Sequence, residues 1–336
     1  MNKFLKRLSF YYLLPILFLV IGLVIWDPFR VFFEYEDYYN DNHITGNREN
    51  ICFNLLEGRE VGPKNFILGN SRSHAFKTSY FADVIGVEQE SCFHYDGSGL
   101  GLYRARNAVD YICQNYEVEN FLIVTDLDFF AETVPPKGHL FIQNPIVSGS
   151  SMLEFYWSFL RSSLDPVFIF YNLVYFLSGQ YFDFMGFHIS NSENFHSCNH
   201  LTGDLDYSYD IDLETDSLSY YSRLLEKGTF YVRSDKEVIA ERVIRKEQLE
   251  LLEEIRDLLE GRGVEPVVVI APLYNQRKLN LQDVHILETI FGCENVFDFS
   301  GKNSYTEDFR NYYETSHFKQ NVANGILDSI YKERNL

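Results

Sequence analysis

The chain is organised around residues 65–74, Asn65-Phe66-Ile67-Leu68-Gly69-Asn70-Ser71-Arg72-Ser73-His74. An apolar run ends there at a glycine and an asparagine, a serine follows, and the next residues are able to turn helical. A turn from a strand into a helix presents a nucleophilic side chain at the edge of a sheet. Ser71 is therefore the first candidate functional residue.

Strands and helices alternate on both sides of this stretch. Short apolar runs predict strands at residues 65–68, 91–95, 121–124, 267–270 and 295–299. Apolar residues at helical spacing predict helices at residues 72–84, 102–113 and 318–334, and another between Ile239 and Leu259. This alternation predicts an α/β fold with a mainly parallel sheet covered by helices on both faces.

Composition limits the classes of function. The 336 residues carry a formal net charge of −19, and 46% of them are hydrophobic, which is ample for a folded core. Because proteins bind a phosphate backbone largely through lysine and arginine, a chain this acidic is not expected to bind nucleic acid. Five cysteines without a Cys-x-x-Cys spacing indicate neither a zinc ribbon nor a thioredoxin-type redox pair.

The N-terminus predicts a membrane anchor. Lys3, Lys6 and Arg7 precede an uncharged stretch, residues 9–26, which is near the lower length limit for a helix that crosses a bilayer. No small-residue cleavage site follows, so an uncleaved signal anchor is expected within residues 1–27. Its positive flank would lie in the cytoplasm and the rest of the chain in the periplasm or outside the cell. The alternative is a buried N-terminal helix.

Two further segments follow the anchor. Residues 28–60 are interpreted as a stalk and lead-in, and residues 61–334 as the main domain. Within that domain, an aromatic-rich insertion at about residues 135–232 interrupts the α/β alternation and is predicted to form one or two helices and then a polar loop. Its apolar part, residues 166–177, is too short to span a bilayer. It forms either a cap or part of the core, or else a contact with the membrane surface.

A base and an acid stand at the far end of the chain, in the stretch Tyr313-Glu314-Thr315-Ser316-His317-Phe318. A serine hydroxyl is a weak nucleophile until a base removes its proton, and that base needs a third group that fixes its tautomer. Ser71, His317 and Glu314 supply these three types, and loops that follow parallel strands converge on one edge of a sheet. They are the predicted catalytic residues. The ordinary alternatives are a serine that caps a helix and a surface histidine.

These residues resemble the SGNH, or GDSL-type, hydrolase superfamily. Gly69-Asn70-Ser71, with an acid three positions before a histidine near the C-terminus, is similar to its nucleophile block and its last block. The anchor and residues 296–299 and 312–318 resemble a narrower group, the anchored extracytoplasmic SGNH-like proteins that work beside membrane-bound O-acyltransferases. The resemblance covers roughly residues 61–130 and 236–334. It implies a three-layer, flavodoxin-like α/β sandwich.

The resemblance also implies roles for single residues. Ser71 would be the nucleophile, His317 the general base and Glu314 the acid that orients it. The second family block falls just after the second predicted strand, where Gly99, and after it Gly97, would donate an N–H to the oxyanion hole beside the N–H of Ser71. The resemblance implies neither a metal nor an organic cofactor.

Three departures separate this chain from the family pattern. Asn70 and Glu314 each stand where an aspartate is usual, and a glutamate is still able to orient an imidazole. The third block, Gly-x-Asn-Asp, is absent, and Thr125-Asp126-Leu127-Asp128 stands in its place. Because a carboxylate cannot donate a hydrogen bond to an oxyanion, and the loss of one donor costs about 3 kcal/mol, slow catalysis is expected.

Three other features need an interpretation. Arg72 would either bind an anionic group of the substrate or pair with one of the many acidic residues. Residues 196–200, with His188 nearby, include metal-ligand types, but their spacing matches no standard site and no metal is predicted. Acidic residues alternate between Asp204 and Asp212 and predict a solvated acidic loop rather than a calcium site.

The sequence therefore predicts a single-span, extracytoplasmic serine esterase or O-acyltransferase that acts on acyl esters, acetyl above all, of a cell-envelope glycan. A transfer reaction would need a multi-span membrane O-acyltransferase as a partner, because an acyl donor inside the cell cannot cross the membrane unaided. The alternative is a non-catalytic accessory or glycan-binding protein with the same fold.

Overall fold

The computed structural model describes residues 9–38, 43–186, 188–189 and 195–332, which contain twelve α-helices and nine strands. The α-helices are α1 (Leu14–Trp26), α2 (Arg48–Glu57), α3 (Thr78–Ile85), α4 (Leu102–Asn115), α5 (Pro145–Ser148), α6 (Met152–Ser163), α7 (Pro166–Ser178), α8 (Ser208–Glu226), α9 (Lys246–Glu260), α10 (Leu281–Phe291), α11 (Ser304–Glu307) and α12 (Gln320–Tyr331). The strands are β1 (Asn65–Asn70), β2 (Cys92–Gly97), β3 (Asn120–Thr125), β4 (Phe195–Cys198), β5 (Leu205–Tyr207), β6 (Val238–Ile239), β7 (Val267–Ile270), β8 (Arg277–Lys278) and β9 (Val296–Asp298).

Five of these strands form the central sheet, in the order β2-β1-β3-β7-β9. Every neighbouring pair is parallel, so the predicted parallel sheet is confirmed. The chain moves outward in one direction from β1 to β2 and then returns to β3 on the other side of β1. In such sheets the loops after the two strands at this reversal separate and leave a crevice, where ligands bind.

Helices cover both faces of the sheet, as the alternation predicts. Alternate residues of β1 point to opposite faces. Phe66 and Leu68 pack in a hydrophobic cluster with residues of α2, α4, α9 and α10. Ile67 packs on the other face with residues of α3, α8 and α12. The strands are buried on both sides, which explains their unbroken apolar runs.

Two of the predicted helices have different boundaries. The helix expected at residues 72–84 is divided into a 3₁₀ turn, Ser71–Ala75, and α3, because Phe76 and Lys77 between them are extended. The helix expected from Ile239 begins only at Lys246. Ile239 lies instead in β6, paired with β8, and the side chain of Gln248 accepts the N–H of Arg245 and so fixes the later start.

The segments expected as a stalk and lead-in and as a polar loop contain regular structure that the sequence analysis does not predict. Helix α2 lies inside the predicted stalk at residues 28–60, yet it is almost entirely buried and packs on β2. After α6 and α7 the insertion continues as an antiparallel β4–β5 hairpin and the 19-residue helix α8. Asp204, predicted to be solvated, is buried and accepts from the backbone N–H and the hydroxyl of Thr78, because the hairpin packs into the main domain.

The N-terminal helix α1 lies against the insertion. It contacts α6, and Phe29, just after it, is buried with Phe159 and Phe168 of the insertion in a third hydrophobic cluster. In the described part of the chain, no helix combines the length and the hydropathy needed to cross a membrane.

Candidate active site

The three predicted catalytic side chains meet at the carboxyl edge of the sheet. The hydroxyl Oγ of Ser71 lies 2.9 Å from Nε2 of His317, and Nδ1 of His317 is hydrogen-bonded to Oε1 of Glu314. A carboxylate only accepts, so the Nδ1 proton belongs to the histidine and Nε2 is left to accept the serine proton. This is the arrangement in which an imidazole acts as a general base toward a serine.

The environment of Glu314 keeps it ionised. Burial by itself would raise the pKa of this carboxyl, but the hydrogen bond and the charge of His317 and the N–H of Ser316 outweigh burial and lower its pKa. The Ser316 N–H donates to Oε2 at 2.7 Å, so both carboxylate oxygens are engaged. An ionised carboxylate in this position stabilises the imidazolium that forms when His317 takes a proton.

The loop that carries Glu314 and His317 is closed on itself. Tyr312 and Phe318 form an isolated antiparallel bridge at its base, and the N–H of Tyr313 donates to the carbonyl of His317 at 2.9 Å. The five residues between the bridged ends, 313–317, hold the acid and the base three positions apart on one side of the chain.

Helix α8 of the insertion supports this loop with two tyrosines. The hydroxyl of Tyr220 donates to the carbonyl of Tyr313 at 2.9 Å, and that of Tyr221 lies 3.1 Å from the carbonyl oxygen of Tyr312 at the base of the loop. The hydroxyl of Tyr313 in turn donates to Asp210, at the start of α8, at 2.5 Å. The insertion is therefore part of the scaffold of the site and not only a cover over it.

The turn that carries Ser71 is tight. A Cβ on Gly69 would lie 2.6 Å from Cβ of Ser73, so this close approach requires a glycine. The side chain of Asn70 accepts the N–H of Arg72 and caps the 3₁₀ turn. Ser71 thus follows the cap residue and is not itself the cap, which removes the ordinary explanation for a serine at this place.

A second set of residues has the types of a catalytic triad but is sealed in the core. Oγ of Ser73 lies 2.8 Å from Nε2 of His94, whose Nδ1 lies 3.5 Å from Asp204. Ser73 and His94 are both fully buried, and the Ser73 hydroxyl donates to the carbonyl of Asn70. No ester reaches this serine, and its role is to hold the turn that presents Ser71.

Asp126, in the segment that replaces the third family block, ties β3 to the same turn. One of its oxygens accepts the N–H groups of Asp128 and Phe129, and the other accepts from the side-chain amide of Asn70 at 2.8 Å. The guanidinium of Arg72 pairs with Asp126 at 2.7 Å and with Asp128 at 2.9 Å. Of the two interpretations of Arg72, the structure shows the pairing with acidic residues.

One of the two glycines predicted for the oxyanion hole lies next to the turn that carries Ser71. Gly97 is paired in register with Asn70, and Gly99, at φ 53°, lies two residues beyond it. The buried Arg104 donates to the carbonyl of Ser98 at 3.4 Å. Because C=O and N–H of a trans peptide point in opposite directions, this contact turns the N–H of Gly99 away from Arg104.

A buried polar chain leads from the insertion to Ser71. The hydroxyl of Tyr207, the last residue of β5, lies 2.8 Å from Nδ1 of His74 and 3.4 Å from the carbonyl oxygen of Ser71. Nε2 of His74 donates to Asp96 at 2.6 Å, and Asp96 accepts from Arg48. The ring of Tyr207 also lies 5.8 Å from that of His317, so this tyrosine contacts both halves of the candidate site.

Residues 188 and 196–200, considered above as metal ligands, serve other contacts where they are described. The thiol of Cys198 accepts from Arg48, and Oδ1 of Asn199 accepts two backbone N–H groups of its own turn. The side chain of His196 is outside the described residues. No group of three or more His, Cys, Asp or Glu side chains in the described ranges is arranged to hold a metal ion.

Several of these residues had no signal in the sequence. Tyr207, His74 and Asp96 reach the site through contacts between distant segments, and nothing in their local pattern indicates it. Asp126 could have been found, because a carboxylate one residue after a buried strand at a sheet's carboxyl edge is a candidate for the crevice. Searches with models of known protein families and against curated proteins give no match for this sequence.

Proposed function

We propose that the protein is a serine esterase or O-acyltransferase of the SGNH type that acts on acyl esters, acetyl above all, of a cell-envelope glycan. One observation carries this proposal. Ser71, His317 and Glu314 form a continuous hydrogen-bonded chain from the hydroxyl to the carboxylate, on a serine that follows the first strand of a parallel sheet. The doubly wound strand order, with the serine beside the reversal point, supports the flavodoxin-like class.

The side chains permit a two-step acyl transfer. His317 Nε2 takes the proton of Ser71 as Oγ attacks the acyl carbonyl, and the N–H groups of Ser71 and Gly99 would stabilise the oxyanion. When the tetrahedral intermediate collapses, His317 returns that proton to the leaving alcohol oxygen and an ester on Ser71 remains. Water or a sugar hydroxyl then attacks this ester, with His317 again as the base, and Ser71 is released.

The proposed place of action is outside the cytoplasm, on a membrane anchor near the N-terminus. Two consecutive helical segments, Ser9–Leu13 and α1, carry no charged residue over residues 9–26. Most large apolar side chains of α1 are exposed, which is costly in water and favourable in hydrocarbon. A transferase on this side of the membrane would need a multi-span O-acyltransferase as its source of acyl groups, which we include in the proposal.

Ester hydrolysis by the purified protein tests the catalytic part of the proposal. The wild type is expected to release alcohol from an activated acetyl ester and to react once, at Ser71, with a fluorophosphonate. In Ser71→Ala, kcat should fall by roughly a thousandfold or more, and the fluorophosphonate should no longer label the protein. Ser217→Ala, at an exposed position of α8, is the matched control and should keep both. Equal, slow release by wild type and Ser71→Ala would instead favour the non-catalytic accessory protein.

A further inference from the structure

Helices α6 and α7 of the insertion expose an unusually apolar surface. Helix α7 has no charged residue in its 13 positions, and Phe176 and Leu177 near its end are 83% and 75% exposed. We call the following residues the apolar face: Trp157, Ile169, Phe170, Leu173, Phe176 and Leu177. Exposed apolar surfaces of this kind mark contacts with proteins or membranes in soluble domains.

The apolar face lies on the packed pair of helices α6 and α7 and is not a displaced piece of core. In α7 the exposed positions 169, 170, 173, 176 and 177 repeat at the spacing of one helical side. The opposite side is already packed, because Phe168 and Asn172 are buried and Asn172 bonds the carbonyl of Phe168. The exposed side therefore needs an occupant of its own.

Helices α6 and α7 lie where helix α1 ends. The ring of Trp26, the last residue of α1, lies 6.2 Å from that of Phe168 in α7. Phe29 stacks on Phe168 at 5.1 Å, and Phe32 stacks on Tyr156 of α6 at 5.5 Å. An aromatic residue at the end of an apolar helix is placed at the level of the bilayer interface. The contacts therefore hold α7 at the same level as the end of the proposed anchor.

We propose that the apolar face lies in the interfacial layer of the bilayer that holds α1. This inference rests on the anchoring part of the proposed function. A lipid occupant fits the observations because α7 combines an uncharged sequence with exposed Phe and Leu side chains, and α6, which contacts α7, carries the half-exposed Trp157 and Tyr156. The contact would orient the main domain relative to the membrane and hold the candidate site at a fixed distance from it.

The chain offers a direct test because its two tryptophans report separately on the anchor and on the apolar face. Full-length Trp26→Phe keeps only Trp157, and Trp157→Phe keeps only Trp26. Each is reconstituted into phosphatidylcholine vesicles whose acyl chains are brominated near the headgroup, and quenching of tryptophan fluorescence is measured. The proposal expects both tryptophans to be quenched, by similar fractions and independently of salt, because apolar burial is not screened.

Two other results would each refute a different part of the proposal. Quenching of Trp26 without quenching of Trp157 would leave the anchor standing and refute the lipid contact, which is also the result expected if a protein covers the apolar face. If neither tryptophan is quenched, the anchoring part of the proposed function fails, and this inference fails with it.

A second pair of variants tests the contribution of the apolar face itself, with Trp157 unchanged as the reporter. In the Trp26→Phe background, Phe176→Glu with Leu177→Glu should reduce quenching of Trp157 at least twofold. Leu218→Glu, at an equally exposed position on α8, should leave it unchanged. Equal quenching of Trp157 in the Phe176→Glu, Leu177→Glu variant and in its parent would show that the apolar face is not what contacts lipid.

Discussion

Nε2 of His317 lies 2.9 Å from Oγ of Ser71, although 246 positions separate these residues in the chain. The sheet makes this contact possible, because Ser71 directly follows β1 and the His317 loop follows the last strand, β9, at the same edge. The tyrosines of α8 fix the loop, and Asn70 and Ser73 fix the turn. The relationship thus depends on groups that take no part in the chemistry, and these can be tested separately.

Replacement of the acid tests how His317 is oriented. Glu314→Gln keeps the size of the side chain but removes the charge that stabilises the imidazolium, and its amide can donate where a carboxylate only accepts. We expect kcat for an activated ester to fall by roughly a thousandfold. Glu314→Asp, which keeps the charge on a shorter side chain, should lose much less. Equal losses would mean that charge is not what Glu314 supplies.

Arg72 is expected to act as a structural tie and not as a substrate-binding residue. Its guanidinium engages Asp126 and Asp128, and the side chain of Asp126 is only 1% exposed. Arg72→Ala leaves this buried carboxylate without its charged partner and should cost about 3 kcal/mol in the free energy of unfolding. It should reduce kcat/KM by the same factor for a neutral acetyl ester and an anionic succinyl ester.

The double variant Arg72→Ala with Asp126→Asn is the control for this prediction. Because it removes the unpaired charge, it should recover part of the lost stability. A selective loss of activity on the anionic ester would show that Arg72 binds substrate after all.

Tyr207 is expected to position the turn that carries Ser71. Tyr207→Phe removes the hydroxyl that lies between His74 and the carbonyl of Ser71, and leaves Nδ1 of His74 without this partner. We expect kcat to fall about tenfold, which corresponds to ~1.4 kcal/mol, with KM unchanged. Tyr231→Phe, at an exposed position beyond α8, is the matched control. A change in KM alone would place Tyr207 in substrate binding.

The sequence predicts the parallel sheet and the triad because both depend on local patterns. The strand at residues 267–270 is an uninterrupted apolar run. Ser71 stands just after the first predicted strand, and Glu314 and His317 stand between the last predicted strand and the last predicted helix. The supporting contacts are not predictable in this way. Tyr207 lies 136 positions from Ser71 and in a segment with no α/β rhythm, and its contact depends on how the β4–β5 hairpin docks. The start of α9 was misplaced because Ile239 fits a helical spacing but pairs with β8 instead.

The buried chain behind Ser71 predicts a dependence of stability on pH. Burial lowers the pKa of His74 from its ordinary value of 6.5 to about 4, although the carboxylate of Asp96 acts in the opposite direction. Between these two values the unfolded chain binds a proton at His74 and the folded protein does not. The contribution of His74 to the free energy of unfolding therefore falls as the pH decreases through this window, and its loss approaches about 3 kcal/mol at the lower end.

His74→Gln isolates this contribution. Glutamine does not titrate, so the free energy of unfolding of the variant should decrease less steeply over the same window, whatever its absolute value. Burial also lowers the pKa of His139 to about 4, but this histidine is present in both proteins and its effect cancels in the comparison. The measurement is urea unfolding of the full-length proteins in detergent at a series of pH values across the window. Parallel curves for wild type and variant would show that His74 takes up its proton equally well in the folded protein, and that the chain from Asp96 to Tyr207 is open to water.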